Sequence, residues 1–262
     1  MTSSAMPLAS GANWMKSRSP LVKAMIAIAV TLAFVLGMEA ILGHVPDPIG
    51  SNAAQLAEAV VVTIQLTLLA GCLGVIIGTL VALGKTSPIR PVSWLCSTYI
   101  WIARGTPLLL QILFMFFALP VIFPALEFSD FTSATIALAF NVGAYNAEAI
   151  RSGLLSVPTG QLEAAHALGL SRFTIFASVV FPQALRISLP PLVNNGVSLL
   201  KDSSLAYAIG VVELTNAANR IQSATFEPVP VLLTSAAIYL VLTTSLTQVT
   251  NALERYLNFE RK

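Results

Sequence analysis

Apolar residues run along this chain in long blocks, and short clusters of charge, proline or glycine separate one block from the next. A helix needs about 20 predominantly apolar residues to cross the hydrocarbon core of a bilayer. Blocks of that kind lie at residues 24–43, 59–83, within 92–125, and at 131–150, 187–212 and 229–253, which predicts six spanning helices. The first block competes with a secretory signal, whose apolar core is about 7–15 residues. It is longer than that and no A-x-A cleavage site follows, so it reads as a retained helix. The third block is unusual: from Pro91 to Pro120 a helix would reach ~45 Å at 1.5 Å per residue. That exceeds one upright span. The expectation is an inner part along the membrane face, a bend near Gly105, and a span beyond it.

One long stretch reads as water-facing instead. In residues 161–182, QLEAAHALGLSRFTIFASVVFP, the run Leu162, Ala164, Ala165 and Leu168 lies on one helical face, with Glu163 and His166 off it. Pro158 and Thr159 suit the first turn of that helix. Gly169 follows the last periodic residue, where a left-handed C-terminal cap is expected, and Ser171 is a ready N-cap for a second short helix ending before Pro182. A bent pair of short helices is predicted.

Composition agrees with a membrane protein: 56% of residues are apolar and 10% charged, against about 25% charged in soluble domains. Charge placement supplies the topology, since cytoplasmic loops carry the excess of Lys and Arg. With the N-terminus inside, the inner segments hold eleven of the fourteen basic residues: Lys16, Arg18, Lys23, Lys85, Arg90, Arg151, Arg172, Arg186, Arg255, Arg261 and Lys262. Arg220 alone falls in an outer loop, where Asp47, Glu58, Glu127, Asp130 and Glu227 also lie. Six spans with both ends inside obey the rule at every loop and put the bent helix pair in the cytoplasm. The net charge of +2 is therefore a topology signal, with no bearing on nucleic acid.

Enzyme chemistry has little to stand on. In residues 78–86, GTLVALGKT, the two glycines are five residues apart where a phosphate-binding P-loop needs four, and the stretch ends a span instead of joining strand to helix. Lys85 reads better as a cytoplasmic anchor. The chain has no G-x-S-x-G or H-E-x-x-H, and Cys72 and Cys96 suggest neither a disulfide framework nor a zinc site. A transporter driven by ATP would thus need its ATPase on another chain. Gly74 and Gly78 form a G-x-x-x-G that allows close helix approach, either between subunits or within one chain.

The spacing Glu163-Ala164-Ala165, three residues, Gly169, nine residues, Val179, one residue, Phe181-Pro182 resembles the EAA loop of the membrane subunits of ABC importers. Val179 and Phe181 stand where that family's pattern has Ile and Leu. Four further stretches resemble its polar amino acid permease branch: Arg104-Gly105-Thr106-Pro107-Leu108-Leu109, Tyr145-Asn146-Ala147-Glu148, Pro182-Gln183-Ala184-Leu185-Arg186 and Lys201-Asp202-Ser203-Ser204-Leu205. The branch more often has Thr at the position of Ser203. The resemblance covers residues 60–250 or so and leaves 1–45 outside. It implies that Glu163, Ala164, Ala165 and Gly169 couple to a groove of the ATPase, and that substrate passes near Lys201.

Lys201 and Asp202 are the costliest residues by position, since a charge near mid-span costs ~2.5–3.5 kcal/mol on insertion scales. One reading makes them the wall of a permeation path, with Lys201 meeting a carboxylate and Asp202 an ammonium. Asn194, Asn195, Ser203, Ser204 and Tyr207 supply polar surroundings suited to a zwitterion. The other reading is a structural pair between helices or subunits. Pro190-Pro191 and Gly196 are expected to interrupt the same helix, and Arg104-Gly105-Thr106-Pro107 the third span, which makes Arg104, Gly105, Pro107 and Pro190 candidates for a gate or hinge. Arg104 also reads as a plain interface anchor. Glu148 and Arg151, three apart on one face, are either an intrahelical pair or part of that gate.

The expected fold is an all-α polytopic membrane protein of six transmembrane helices with cytoplasmic N- and C-termini. The resemblance implies a five-helix ABC importer type I core plus one extra N-terminal helix, with a coupling loop at about 153–186 between spans four and five. Residues 1–55 would hold the N-terminus, the extra helix and an outer loop, 56–256 the permease domain, and 257–262 a cytoplasmic tail. The function implied is a permease subunit of an ATP-driven, binding-protein-dependent importer of a polar amino acid, multi-pass in the bacterial inner membrane. Its partners would be two ABC ATPase subunits, a second permease (identical or sister), an extracytoplasmic amino-acid-binding protein and membrane lipid. ATP and Mg would sit on the ATPase, with no cofactor, metal or catalytic residue on this chain. A stand-alone secondary transporter or channel for small zwitterionic solutes is the alternative.

Overall fold

A computed structural model describes residues 20–259, and those residues form helices with no strand among them. The basic residues Lys16, Arg18, Arg261 and Lys262, and half of the expected tail (260–262), lie outside the described residues. Helix α1 spans Pro20–Leu42 and α2 spans Ala53–Lys85. Helix α3, Arg90–Gly105, is followed by α4, Leu108–Leu113, a π-helical turn, Phe114–Ala118, and α5, Leu119–Ile122. Helix α6, Asp130–Leu155, leads to the short α7, Thr159–Ala167, and α8, Arg172–Ile175. A second π-helical turn, Phe176–Val180, joins α8 to α9, Phe181–Asp202, which tightens into a 3-10 helix, Ser203–Ile209. Helices α10, Leu214–Thr225, and α11, Pro228–Phe259, close the order.

Four helical stretches are long and apolar enough to cross a membrane: Ala24–Leu42, Gly50–Lys85, Arg172–Ile209 and Pro228–Ala252. A fifth is the broken pair Arg90–Gly105 and Leu108–Ile122, bent by 109°. Helix α6 falls outside this set because Asn141, Asn146, Glu148 and Arg151 lower its hydropathy. It is nevertheless the most enclosed helix, with buried positions from Ser133 to Gly153. A helix wrapped by protein does not need an apolar surface all round.

Helix α6 is gripped on two sides. Against α2 the contact runs through glycines: a Cβ on Gly78 would sit 2.6 Å from Asn146 Cβ and one on Gly143 2.9 Å from Ile77 Cγ2. The Gly74/Gly78 motif is therefore internal packing of this chain. Against α9 the same device recurs at Gly153, whose added Cβ would meet Ser188 Oγ at 2.1 Å and the Ala184 carbonyl oxygen at 2.5 Å. Around these contacts lie two buried apolar clusters. Leu66, Ile112, Leu138 and Leu199 join α2, α4, α6 and α9, while Met38, Leu56, Leu214 and Val231 join α1, α2, α10 and α11.

Three sequence expectations are corrected. Pro190, Pro191 and Gly196 do not interrupt α9, which is continuous from Phe181 to Asp202. Each proline removes only its own N–H, and the turns on either side hold the helix together. The irregularities fall instead at the π-turn just before Pro182 and at the change of helix type after Asp202. Second, the short helix after Ser171 does not end before Pro182 but runs through the π-turn into α9. Third, the inner part of the third block does not lie apart along a membrane face: α3 packs on α2 and α6, with the Tyr99 hydroxyl donating to the Phe140 carbonyl at 2.6 Å. The bend itself is where Pro107 forces Thr106 into extended backbone, φ −117° and ψ 146°.

Helix α10 starts at a residue the sequence reading passed over. Glu213 is 0% exposed and caps the helix, accepting from the Thr215 and Asn216 N–H groups at 2.8 and 2.9 Å. The Tyr239 hydroxyl donates to it at 2.9 Å, and the Leu214 N–H reaches Thr63 Oγ1 at 3.1 Å, so one turn ties α10 to α11 and α2. Burial pushes the Glu213 carboxyl up from its ordinary range, and the backbone N–H groups of Thr215 and Asn216 pull against that shift.

Gly78→Leu is expected to lower stability by ~1–3 kcal/mol through overpacking, because the added atoms meet Asn146 Cβ and the backbone of α6, none of which can swing aside as the end of a flexible side chain would. Gly160→Ala, with nothing within 4 Å of the added Cβ, should leave the melting temperature in detergent unchanged.

Candidate functional site

A cavity of about 500 Å³ opens where the α3–α4 bend, α6 and α9 meet. Thr106 and Pro107 come from the bend, Asn141 and Tyr145 from α6, and Asn195, Ser198, Lys201 and Asp202 from α9 or its end. The spacings explain why these side chains converge. Asn141 and Tyr145 are four apart, and Asn195, Ser198 and Asp202 are separated by three and four, so each set shares one helical face.

The bend beside the cavity is clasped by amides. Gln111 Nε2 donates to the carbonyls of Ala103 at 2.9 Å and Thr106 at 3.1 Å, and Asn141 Nδ2 donates to Ala103 O at 3.0 Å and Gln111 Oε1 at 3.2 Å. These bonds satisfy carbonyls that the break in the helix frees, as nonhelical backbone at membrane depth requires. Arg104 lies with its guanidinium 5.0 Å from the Tyr145 ring centroid, within cation–π range. Gly105 has open space around it.

Lys201 and Asp202 form no salt bridge among the described residues, with each other or with another helix. Among the described residues, then, no structural ion pair accommodates these charges. Asn195 Nδ2 donates to Asn146 Oδ1 at 2.9 Å, fixing α9 to α6 at the cavity wall. Of the other residues expected around the path, Ser203 is buried and donates to the Leu200 carbonyl at 2.8 Å. Ser204 and Tyr207 lie outside the cavity lining, Tyr207 with an exposed ring. Pro190 lies outside the lining, five residues before Asn195 inside α9.

Glu148 joins two helices. It accepts from Arg151 Nε at 3.0 Å and Nη2 at 2.8 Å, the intrahelical pair that the spacing suggested, and it also pairs with Lys85 at the end of α2. The link to Lys85 was beyond sequence reasoning because it joins residues far apart in the chain. Asn141 and Tyr145 carried a legible signal, two polar groups four residues apart in an apolar block.

The second part of the site is the loop between α6 and α9. Helix α7 ends in a Schellman cap: Gly169 has φ +73°, its N–H bonds the His166 carbonyl, and the Leu170 N–H reaches Ala165 O. Ser171 Oγ accepts from the Thr174 N–H at 3.2 Å and starts α8. Gln183 Nε2 donates to Gln161 Oε1 at 2.7 Å, which fastens α7 to the first turn of α9. Ala165 is buried, whereas Glu163 and Ala164 are exposed. The surface is dominated by Leu168, the last residue of the apolar face read from the sequence, at 79% exposure, and by Phe173, which the sequence did not single out, at 80%.

The family model described as "Binding-protein-dependent transport system inner membrane component" matches residues 74–259. The L-cystine transport system permease protein TcyB of Bacillus subtilis (strain 168) is 40% identical over 204 residues, 78% of this chain and 86% of that protein. The glutamine transport system permease protein GlnP of Escherichia coli (strain K12) is 36% identical over 200 residues, 76% of this chain and 91% of that protein. Among solved structures, a chain from an amino acid ABC transporter with histidines is similar with a TM-score of 0.73 at 36% identity, over 78% of this chain and 95% of that one. A chain of an inward-facing MetNI methionine ABC transporter shares the fold, with a TM-score of 0.66 at 20% identity, over 77% of this chain and 95% of that one.

A double-mutant cycle of Lys85→Ala and Glu148→Ala is expected to give a coupling energy of ~0.5–3 kcal/mol in detergent unfolding. Additive effects would show that the two charges are not paired.

Proposed function

The chain belongs to the family of binding-protein-dependent transport system inner membrane components, and on that premise we propose that it carries a polar amino acid into the cytoplasm as the permease subunit of an ABC importer. In the proposed assembly two ATP-binding subunits supply the energy, with ATP and Mg held there. A second permease, identical or sister, completes the path, and an external binding protein delivers substrate. Residues 56–256 would form the permease domain, with α1 an added helix packed on α2 and α11. The six-span reading with both ends inside is supported by five apolar spans together with the enclosed α6, and by basic residues at the inner ends. Membership in this family sets the stand-alone carrier aside.

One observation carries the mechanism. A single helical stretch, Arg172–Ile209, begins beside the exposed loop and holds Lys201 and Asp202 within its last turns. Leu168 and Phe173 at its start are apolar groups in water, which mark a docking surface. In the proposed cycle the ATPase grips Leu168, Phe173, Glu163 and Ala164, and Gly169 sets the turn that presents them. Ala165 would act from inside, as the packed face of α7. When two ATPase subunits close, the loops are displaced, and α9 moves with α6 because Asn146–Asn195 and Gly153–Ser188 lock the two. The cavity then changes the side on which it is open. Lys201 and Asp202 would receive the carboxylate and ammonium of a zwitterion, in place of the ion-pair partners that they lack among the described residues. Arg104, Gly105, Pro107 and Glu148 are proposed as the gate around that path.

Leu168→Glu together with Phe173→Glu is expected to abolish copurification of the ATPase subunits while membrane insertion persists. Glu163→Lys or Gly169→Leu should leave ATP hydrolysis uncoupled from uptake. Asp202→Asn should cut uptake at least tenfold with ATPase association intact. Normal coupled transport in all of these variants would refute the proposal, and failure of Asp202→Asn to assemble would make Asp202 structural.

A further inference from the structure

We propose that the cavity accepts amino acids without net positive charge and discriminates against basic ones, independently of any delivery protein. This rests on the reading of the cavity as the substrate path. The inference follows from the charges on the wall. It carries one carboxylate, Asp202, and one ammonium, Lys201, and its remaining polar side chains are the uncharged Thr106, Asn141, Tyr145, Asn195 and Ser198. Every α-amino acid brings one ammonium and one carboxylate, and these occupy the two wall charges. A cationic side chain would then find no second carboxylate. Glu148, three residues along α6 from Tyr145, is engaged by Lys85 and Arg151. The charge nearby is positive instead: Lys201 stands on the wall, and Arg104, outside the lining, stacks on the ring of Tyr145, which lines it.

An uncharged side chain meets better-matched groups. Asn141 Nδ2 is engaged by Ala103 and Gln111, and Asn195 Nδ2 by Asn146, which leaves the Oδ1 atoms of both to accept from an amide or hydroxyl. Leu138, Val142 and Leu199 complete the wall with apolar surface. Size does not discriminate, because about 500 Å³ admits arginine as readily as glutamine. The selectivity is a matter of leaving a desolvated charge unpaired.

The test uses the permease assembled with its ATPase subunits in lipid nanodiscs, without binding protein. Direct binding is measured by titration with the twenty common L-amino acids and L-cystine. The expected result is that at least one amino acid without net positive charge binds, that arginine and lysine bind at least tenfold more weakly, and that Asp202→Asn removes the binding. Ser198→Asp, which adds a second carboxylate to the wall, should raise arginine affinity at least tenfold relative to the preferred ligand. If arginine or lysine binds as tightly as the best neutral ligand and Asp202→Asn removes that binding, the specificity is wrong while the path stands. If nothing binds, or if binding is indifferent to Asp202→Asn, the path reading fails and the specificity with it.

Discussion

The close approach of α6 to α2 on one side and to α9 on the other is the constraint on which the rest of the structure depends. Gly74, Gly78 and Gly143 bring the first pair into backbone contact, and Gly153 does so for the second. In lipid there is no hydrophobic drive between helices, so association relies on packing of this kind and on hydrogen bonds across helices. Both are present at the second contact, where Asn146 and Asn195 bond directly above the glycine seam. The consequence is mechanical. Helices α6 and α9 form one body, and the loop between them, fastened by Gln161 to Gln183, is the exposed end of that body.

Polarity is distributed to match. Helices α1, α2 and α11 turn residues such as Leu36, Leu68 and Leu240 outward, a surface fit for lipid. The polar groups collect on the α6, α9 and α3–α4 side, where Lys201 and Asp202 have no ion-pair partner within the described chain. Groups of that kind at membrane depth need water, a ligand or another subunit. A proposed path through this cavity supplies all three. It also gives the bend at Thr106–Pro107 a place in the proposed mechanism, since its freed carbonyls are held by Gln111 and Asn141 at the edge of the same cavity.

What was legible in the sequence was local or compositional. Gly169 and Ser171 could be read as caps because their effect is confined to one turn, and the break at Gly105 to Pro107 because proline restricts its own neighbour. The apolar blocks gave the spans, although α6, diluted by Asn141, Asn146 and Glu148, is enclosed by protein and barely needs to be apolar. Pro190 and Pro191 misled because helix continuity depends on the neighbouring turns as well as on the proline. Glu213 and the Lys85–Glu148 link were out of reach, since a buried carboxylate cap and a contact between distant residues depend on tertiary packing. The wall of the cavity was half legible. Lys201, Asp202 and Asn195 stand out by type and Asn141 and Tyr145 by their spacing in an apolar block, while Ser198 becomes significant only when the helices are brought together.

The central claim is that force applied at the loop changes which side of the membrane the cavity opens to. It is tested most directly by labelling Ser198→Cys, in a chain carrying Cys72→Ser and Cys96→Ser, with a membrane-impermeant thiol reagent applied from either side of sealed vesicles that contain the assembled ATPase subunits. The account predicts labelling from the cytoplasmic side without nucleotide and from the outer side when a non-hydrolysable ATP analogue holds the ATPase subunits closed. Labelling from the same side in both conditions would contradict it.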